Sequence, residues 1–489
     1  MADESLGRGL RSGYAMGALA SGAFGTVPGL LLLPYLTDTV GISALLAGVI
    51  VFAPKIWDVV TSPIVGRISD RTAVRSGSRR TYVLCGGLVL ALCFGLLFSG
   101  VTSSPAGGAW WAAIFYSLCS VAVAVFTVPY LAMPAEMTDS YHERTRIQTV
   151  RVAFLAIAIL ISGAGSPAIR NAVGGAEGYR VMGWFIAVVI AIGVLGAYFG
   201  TRNARRSTVL FNEGSLLSQM RSVIKVRDFT ILACSYAIQY ISIGLLLAGV
   251  DYVANYYLNS DVGASILFVL FVGPALVTMP LWNRIGRRFG KKNGFRFSTG
   301  LMAAAVVVDA IVMLTTDPSV GKYALYVLTA ILGVGYAGAQ VYPSAMLADT
   351  AAVDARRTGV NRIGLFSGVW GAIDTVTMAA GTGMFALALA IGSYEPGIGL
   401  TADGPRNPAM TAIVVAFTVL PAVFFVVSLL LIRGYRLTGD DVELRLSDDD
   451  IPAGAGDSSE AVDPVDAGAL EPGQYAPGGR RGSGLPPGQ

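Results

Sequence analysis

The sequence predicts an all-α polytopic membrane protein, with twelve transmembrane helices in two six-helix bundles, and three observations lead there. The 489-residue chain is 54% hydrophobic and only 13% charged, with a mean hydropathy of +0.62, far from the balance of a soluble domain. Apolar runs long enough to cross about 30 Å of hydrocarbon, about 20 residues each, recur about twelve times. Lys and Arg crowd into alternate connections between those runs, as they do on the cytoplasmic side of a polytopic protein.

In chain order the runs fall near 14–36, 42–65, 82–101, 109–134, 149–169, 181–200, 229–257, 263–283, 297–316, 323–347, 362–391 and 409–432. The first is too long for a cleavable signal and leads straight into the array. The fourth contains Pro129 and Pro134, which are expected to kink it. Cys85, Cys93, Cys119 and Cys234 all lie within runs and read as small core residues outside any disulfide framework. The even-numbered connections carry Arg67, Arg71, Arg75, Arg79 and Arg80, then Arg144 and Arg146, then Arg202, Arg205, Arg206, Arg221, Lys225 and Arg227. The next two carry Arg284, Arg287, Arg288, Lys291, Lys292 and Arg296, then Arg356 and Arg357. The opposite connections hold only Arg170, Arg180, Lys322 and Arg406, so both termini are expected in the cytoplasm. The net charge of +4 is then a topology signal and points to no nucleic-acid partner. Thirty Arg against five Lys suggests a GC-rich bacterial genome and hence the plasma (bacterial inner) membrane.

Two basic connections are related in sequence: Gly66-Arg67-Ile68-Ser69-Asp70-Arg71, running on to Arg80, and Arg284-Ile285-Gly286-Arg287-Arg288-Phe289-Gly290-Lys291-Lys292. They stand six spans apart, as expected for two halves related by an axis along the membrane normal with a substrate site at their interface. The expected organisation is an N-terminal bundle over 1–200, a cytoplasmic linker over 201–228 with a short amphipathic helix at 215–224, a C-terminal bundle over 229–436, and a disordered tail over 437–489. The tail is acidic from Asp440 to Asp450 and then rich in Gly, Pro, Ala, Asp and Ser, a composition that buries too little apolar surface to order itself.

Lys55-Ile56-Trp57-Asp58 sits in the middle of the second run, where a charge costs about 2.5 to 3.5 kcal/mol on insertion scales and is normally turned inward to a partner, ion or substrate. Positions 55, 58, 61 and 62 share a helix face, so Lys55, Asp58, Thr61 and Ser62 form one polar patch. It reads as a proton or cation site, with a static ion pair inside the bundle as the alternative. A single carboxylate suits a proton better than sodium. No Cys/His cluster or phosphate-binding Gly loop is present in the sequence, so no metal, cofactor, ATP hydrolysis or enzymatic activity is expected.

The Gly66-x-x-x-Asp70-Arg71 loop resembles that of the major facilitator superfamily. Tyr35-Leu36-Thr37-Asp38-Thr39-Val40-Gly41, Lys55-Ile56-Trp57-Asp58 with Pro63, and Val128-Pro129-Tyr130 leading to Pro134, Glu136 and Glu143-Arg144-Thr145 narrow the match. With Ala348-Asp349-Thr350, Arg356, Gly359 and Arg362 they are similar to the glycoside-pentoside-hexuronide:cation symporter family, over residues 10 to 435. The resemblance implies an alternating-access, cation-coupled sugar symporter. This chain departs from the melibiose permease of that family at several ligand positions. Ser62 stands where a second carboxylate would complete a sodium site, Ser21-Gly22-Ala23 and Thr127 where sugar-binding aspartates lie, and Asp374 where a lysine falls. Melibiose specificity and sodium coupling are therefore not implied; only the position of Asp58 transfers.

In that architecture Asp251 and Asp374, with Trp370 one turn before the latter, are candidates to line the central cavity. Arg151 is a candidate clamp for a hydroxylated or anionic solute through its five donors, or a partner for Glu136, Asp139 or a lipid phosphate. Thr127 and Tyr130 are further candidates, or bond only their own backbone and neighbours. Asp70, Arg71, Arg79 and Arg80 in one half, and Arg287, Arg288, Lys291 and Lys292 in the other, are expected to form gate salt bridges on the cytoplasmic side, or to act only as topology signals. Asp309 falls in a span that is peripheral in this superfamily, and His142, the only histidine, reads as solvated surface. The expected protein is a monomeric proton-coupled carrier of a small solute such as a sugar or glycoside. A lysolipid-like or other amphipathic cargo is the first rival, and a non-transporting receptor or scaffold the second.

Overall fold

The computed structural model describes residues 7–76, 79–100, 104–138, 141–202, 204, 223–316, 318–358, 363–395 and 408–437. Among them twelve helices are long and apolar enough to cross a membrane, and no strand occurs. They are α1 (Arg8–Val27), α2 (Ala44–Ser76), α3 (Arg80–Leu97), α4 (Pro105–Met137), α5 (Tyr141–Val173), α6 (Gly175–Gly200), α7 (Arg227–Tyr252), α8 (Gly263–Phe289), α9 (Lys291–Thr315), α10 (Pro318–Thr358), α11 (Ile363–Ile391) and α12, which runs through Pro408–Val414, Val415–Val419 and Leu420–Leu431. Several extend past the apolar runs at the basic end, α2 and α10 most of all, because hydropathy marks the hydrocarbon and the helix continues beyond it. Twelve crossings place both ends of the array on the face that carries the basic loops, here the basic face. The expected helix over 215–224, apart from its last two residues, and the tail from 438 lie outside the described residues, as does His142's side chain.

Local chemistry sets the helix ends. Ser104 Oγ accepts from the Gly107 N–H at 3.2 Å, and Pro105 occupies the first turn, where a missing N–H costs nothing. Gly174 and Gly175 (φ +80° and +57°) turn the chain from α5 into α6, a backbone region open to glycine at no steric cost. α1 passes into wide π turns at Pro28–Leu32 and Tyr35–Thr39, and α7 into one at Val253–Tyr257. Such turns re-aim side chains and recur at functional sites.

Packing divides the array into two six-helix bundles. In the first, α1 packs on α5 and α6, α3 on α4 and α6, and α2 on α4. In the second, α7 packs on α11 and α12, α9 on α10 and α12, and α8 on α10. Each pairing recurs six helices on, the internal symmetry that the repeated basic loops announced. The bundles meet along α2 with α11 and α5 with α8. The α7–α11 approach depends on glycine: a Cβ at Gly381 would lie 2.8 Å from Gly244 Cα, so close backbone contact replaces side-chain packing. Large apolar side chains such as Trp110, Phe199, Val277 and Ile391 are exposed, a surface that hydrocarbon solvates and water would not. Cys93 and Cys119 are buried as expected, but Cys85 and Cys234 are exposed. The correction follows from helical phase, since lipid-facing and core-facing positions are equally apolar in a membrane helix. All four thiols are free.

Candidate functional site

The polar patch on α2 forms as its spacing requires. Ser62 Oγ donates to Asp58 Oδ1 at 3.3 Å, one turn away, and Thr61 Oγ1 donates to the Asp58 carbonyl at 3.2 Å. Lys55 turns from this carboxylate: its Nζ lies 4.7 Å from the centroid of the Phe24 ring on α1 and 5.7 Å from that of Tyr116 on α4, within cation–π range. Among the described residues neither Lys55 nor Asp58 has an ion-pair partner within 4 Å. Asp58 is half-buried, with a hydroxyl as its side-chain donor.

Nearer the basic face the first bundle holds an aromatic and guanidinium cluster. Tyr130 on α4 stacks on Tyr14 of α1 at 4.6 Å between centroids and donates its hydroxyl to the Tyr14 carbonyl at 2.9 Å. The Arg151 guanidinium sits 5.8 Å over the Tyr130 ring and donates through Nη1 to Gln148 Oε1 at 3.2 Å, while its Nε is buried without a partner. Thr127 is half-buried one turn before Tyr130.

The second bundle answers with a carboxylate. Asp374 on α11 accepts from the Tyr236 hydroxyl of α7 at 2.6 Å. Trp370 stacks on Tyr236 at 4.1 Å, Tyr240 lies 4.7 Å from the same ring, and Gln340 of α10 bridges from Tyr240 at 3.4 Å to Tyr336. Asp374 and Trp370 are thus brought together, as their i, i+4 spacing required.

Asp251 is placed elsewhere. It is 1% exposed, held by Arg170 Nη1 at 2.6 Å and by Asn255 Nδ2 at 3.1 Å, and so belongs to a seam that ties the bundles together at the face opposite the basic loops. Arg170 also donates to Tyr179 at 3.1 Å and to Asn171 Oδ1 at 2.7 Å. Beside it, Asp38 accepts from Tyr394 at 2.5 Å, from Tyr256 at 3.2 Å and from Thr37 at 2.8 Å. Thr37 and Tyr252 pair at 2.7 Å, and Ser265 donates to the Ala164 carbonyl at 2.8 Å. Burial pushes the Asp38 carboxyl above the usual range; hydroxyls from Tyr394, Thr37 and Tyr256 oppose the shift and the charge of Asp251 reinforces it. The sequence reading passed over Arg170, though an arginine on the wrong side of the loop alternation was a visible signal.

On the basic face the described ion pairs stay within one bundle: Arg11 and Arg146 with Glu143, and Lys291 with Asp349. Arg80 Nη1 donates to the Arg202 carbonyl at 2.6 Å, and Arg79 is buried. Arg287 and Arg288 are exposed, the latter 5.4 Å over the ring of Phe289. The side chains of Asp70 and Arg71 lie outside the described residues. Asp309 is buried on α9, with Oδ1 lacking a partner.

Comparison with known proteins agrees with this architecture. The family model described as MFS/sugar transport protein matches residues 13–439. An uncharacterized symporter of Bacillus subtilis, YnaJ, is 26% identical over 87% of this chain and 91% of its own. A putative glycoside/cation symporter of Escherichia coli, YagG, is 24% identical over 88% and 92%. The crystal structure of a D-xylose-proton symporter superposes with a TM-score of 0.63, at 15% identity, over 89% of this chain and 98% of that one.

Proposed function

This chain belongs to the MFS/sugar transport protein family, and on that premise we propose that it is a proton-coupled symporter of a small hydroxylated solute, a sugar or glycoside, working by alternating access in a bacterial inner membrane with both termini cytoplasmic. The observation that carries the coupling ion is the α2 patch, where Asp58 has one hydroxyl donor, Ser62, and no second carboxylate within the patch. A lone carboxylate at that depth exchanges a proton more readily than it cages a sodium ion, which requires about six oxygen ligands for a hard cation. One charge suffices energetically: each 100 mV contributes about 2.3 kcal/mol, more than a tenfold gradient at equilibrium.

The bonding pattern of the two faces supports the cycle. The seam of Arg170, Asp251 and Asp38 joins the bundles at one end, while the described ion pairs of the basic face do not cross between them. On this reading, breaking the seam opens the face opposite the basic loops. The solute site lies between Arg151 and Tyr130 on one side and Asp374 and Trp370 on the other.

The test begins with a thermal-shift screen of purified protein against sugars, lysolipids and organic acids, with and without sodium, to supply a solute. In proteoliposomes that solute should then drive proton uptake in the wild type. Asp58→Asn, which mimics the protonated form, should lose uphill accumulation and keep solute exchange. Strict sodium dependence, or an Asn variant that still concentrates the solute, would assign the coupling elsewhere. Stabilisation by lysolipids alone would replace the sugar reading. Reporter fusions after Arg206 and Arg436 should both report cytoplasm.

A further inference from the structure

Among the described residues, the interior of the second bundle holds a carboxyl, that of Asp374, with no cation beside it. Within 229–283, 297–321, 323–355, 363–391 and 408–432 the sequence contains no Lys or Arg, so every fixed cation of that half lies at a membrane face. Asp374 lies within this cation-free interior, and among the described residues it has no ion-pair partner within 4 Å. A carboxylate at such depth is normally met by a positive charge, and here the protein supplies a tyrosine hydroxyl, Tyr236 at 2.6 Å. The first bundle is built the other way, with the cations Lys55 and Arg151 in its interior.

The surroundings of Asp374 favour an organic cation over a bare one. Trp370 and Tyr236 stack at 4.1 Å, and Tyr240 and Tyr336, both half-buried, extend the aromatic wall. Aromatic faces attract ammonium groups, the more so as exposure falls, and cages that recognise quaternary ammonium ligands are built from them. A metal ion would want several oxygens in place of rings, and no group of metal-ligating side chains occurs among the described residues. There is room as well: a Cβ at Gly371, one turn before Asp374 on the same face, would meet nothing within 4 Å. The hydroxyls of Thr375 and Thr377 are turned back to the carbonyls of Gly371 and Ile373, so they do not compete for the carboxylate.

We propose that Asp374, with Tyr236, Tyr240, Tyr336 and Trp370, forms the subsite for a positively charged group of the transported solute, a protonated or quaternary ammonium. The inference rests on the transporter reading above and narrows its cargo to amine-bearing solutes, an amino sugar among them. It also gives the cavity a polarity, with the hydroxylated or anionic part of the solute toward Arg151 and the ammonium toward α11.

Two probe pairs test it, each differing in charge at nearly constant shape: choline against 3,3-dimethyl-1-butanol, and glucosamine against glucose. Binding to the full-length protein in nanodiscs is measured by calorimetry at neutral pH. The charged member should bind at least about tenfold more tightly in one pair or both, a difference of about 1.4 kcal/mol. Asp374→Asn should erase that preference, and Asp374→Glu should retain most of it. Equal binding of charged and neutral probes to the wild type, binding of neither, or a preference that survives in Asp374→Asn would overturn the subsite. Loss of proton coupling in the Asp58 experiment is a separate readout, so a transporter without an amine subsite and an amine-binding protein without proton coupling are told apart.

Discussion

The two ends of the inter-bundle interface are built differently. At the face opposite the basic loops, four helices or their π turns, with Tyr394 just past α11, contribute polar side chains that bond across the bundles, and the central pair, Arg170 and Asp251, is 6% and 1% exposed. At the basic face the described ion pairs are within one bundle and include well-exposed partners, such as Lys291 at 45%. Burial decides what each kind is worth. A buried pair is strongly felt when one partner is removed, because the other is left as an uncompensated charge, about 3 to 5 kcal/mol. An exposed pair contributes about 0 to 1 kcal/mol. Charge count would have ranked the faces in the opposite order, since the basic face holds most of the arginines.

The largest expected effect therefore comes from breaking the seam. Arg170→Ala leaves Asp251 buried with only Asn255 to serve it, and its Oδ1 already lacks a partner. Asp251→Ala is milder, because the guanidinium keeps Asn171 and Tyr179 as acceptors. Thermal unfolding in detergent should show the arginine variant falling further than the aspartate variant, and Arg170→Ala with Asp251→Ala losing less than the sum of the two. A strictly additive pair would mean that the seam is held elsewhere.

Asp38 makes the same seam pH-dependent. Its carboxyl is pushed up while the seam is closed and buried, and returns toward the ordinary range, about 3.9, when opening admits water. The closed form thus binds the proton more tightly. As pH falls through the raised value the closed form gains population, and as pH rises above it ionisation favours opening. Spin labels at L45C and V262C, in a chain whose native cysteines are replaced, should report a shorter mean distance at low pH. Asp38→Asn should flatten that dependence while the tyrosines keep an acceptor; an unchanged pH profile would remove Asp38 from the gate.

Much of this was legible in the sequence, for reasons that single out what was not. Hydropathy and loop charge are one-dimensional signals, so twelve spans and the recurrence of the basic loop six spans on could be read directly. Helical spacing placed Ser62 on Asp58 and Trp370 beside Asp374. Partners far apart in the chain carry no such signal: Arg170 with Asp251, or Asp38 with Tyr394, exist only once the bundles meet. Asp251 and Asp374 look alike in sequence, two lone acids in apolar runs, and only packing gives one an arginine and the other a tyrosine. Lys55 and Asp58 show the limit from the other side, being neighbours on one helix face whose charged ends diverge because Phe24 and Tyr116 offer the lysine a better seat.

The smallest expected effect closes the comparison at the basic face. Lys291 Nζ contacts Asp349 at 2.7 Å to Oδ1, good geometry at a site where both side chains retain water. The pair joins α9 to α10 within the second bundle, so it neither crosses the interface nor loses solvation when the bundles rock. Lys291→Ala should change thermal stability by less than about 1 kcal/mol, with the residual effect shrinking further as salt is raised through the range where the screening length falls from about 10 to 3 Å. Transport rate should be unaltered. A loss comparable to that of Arg170→Ala, or one insensitive to salt, would mean that this pair is desolvated at some stage of the cycle, and the contrast between a buried seam and an exposed ion pair would then hold for this state of the carrier alone.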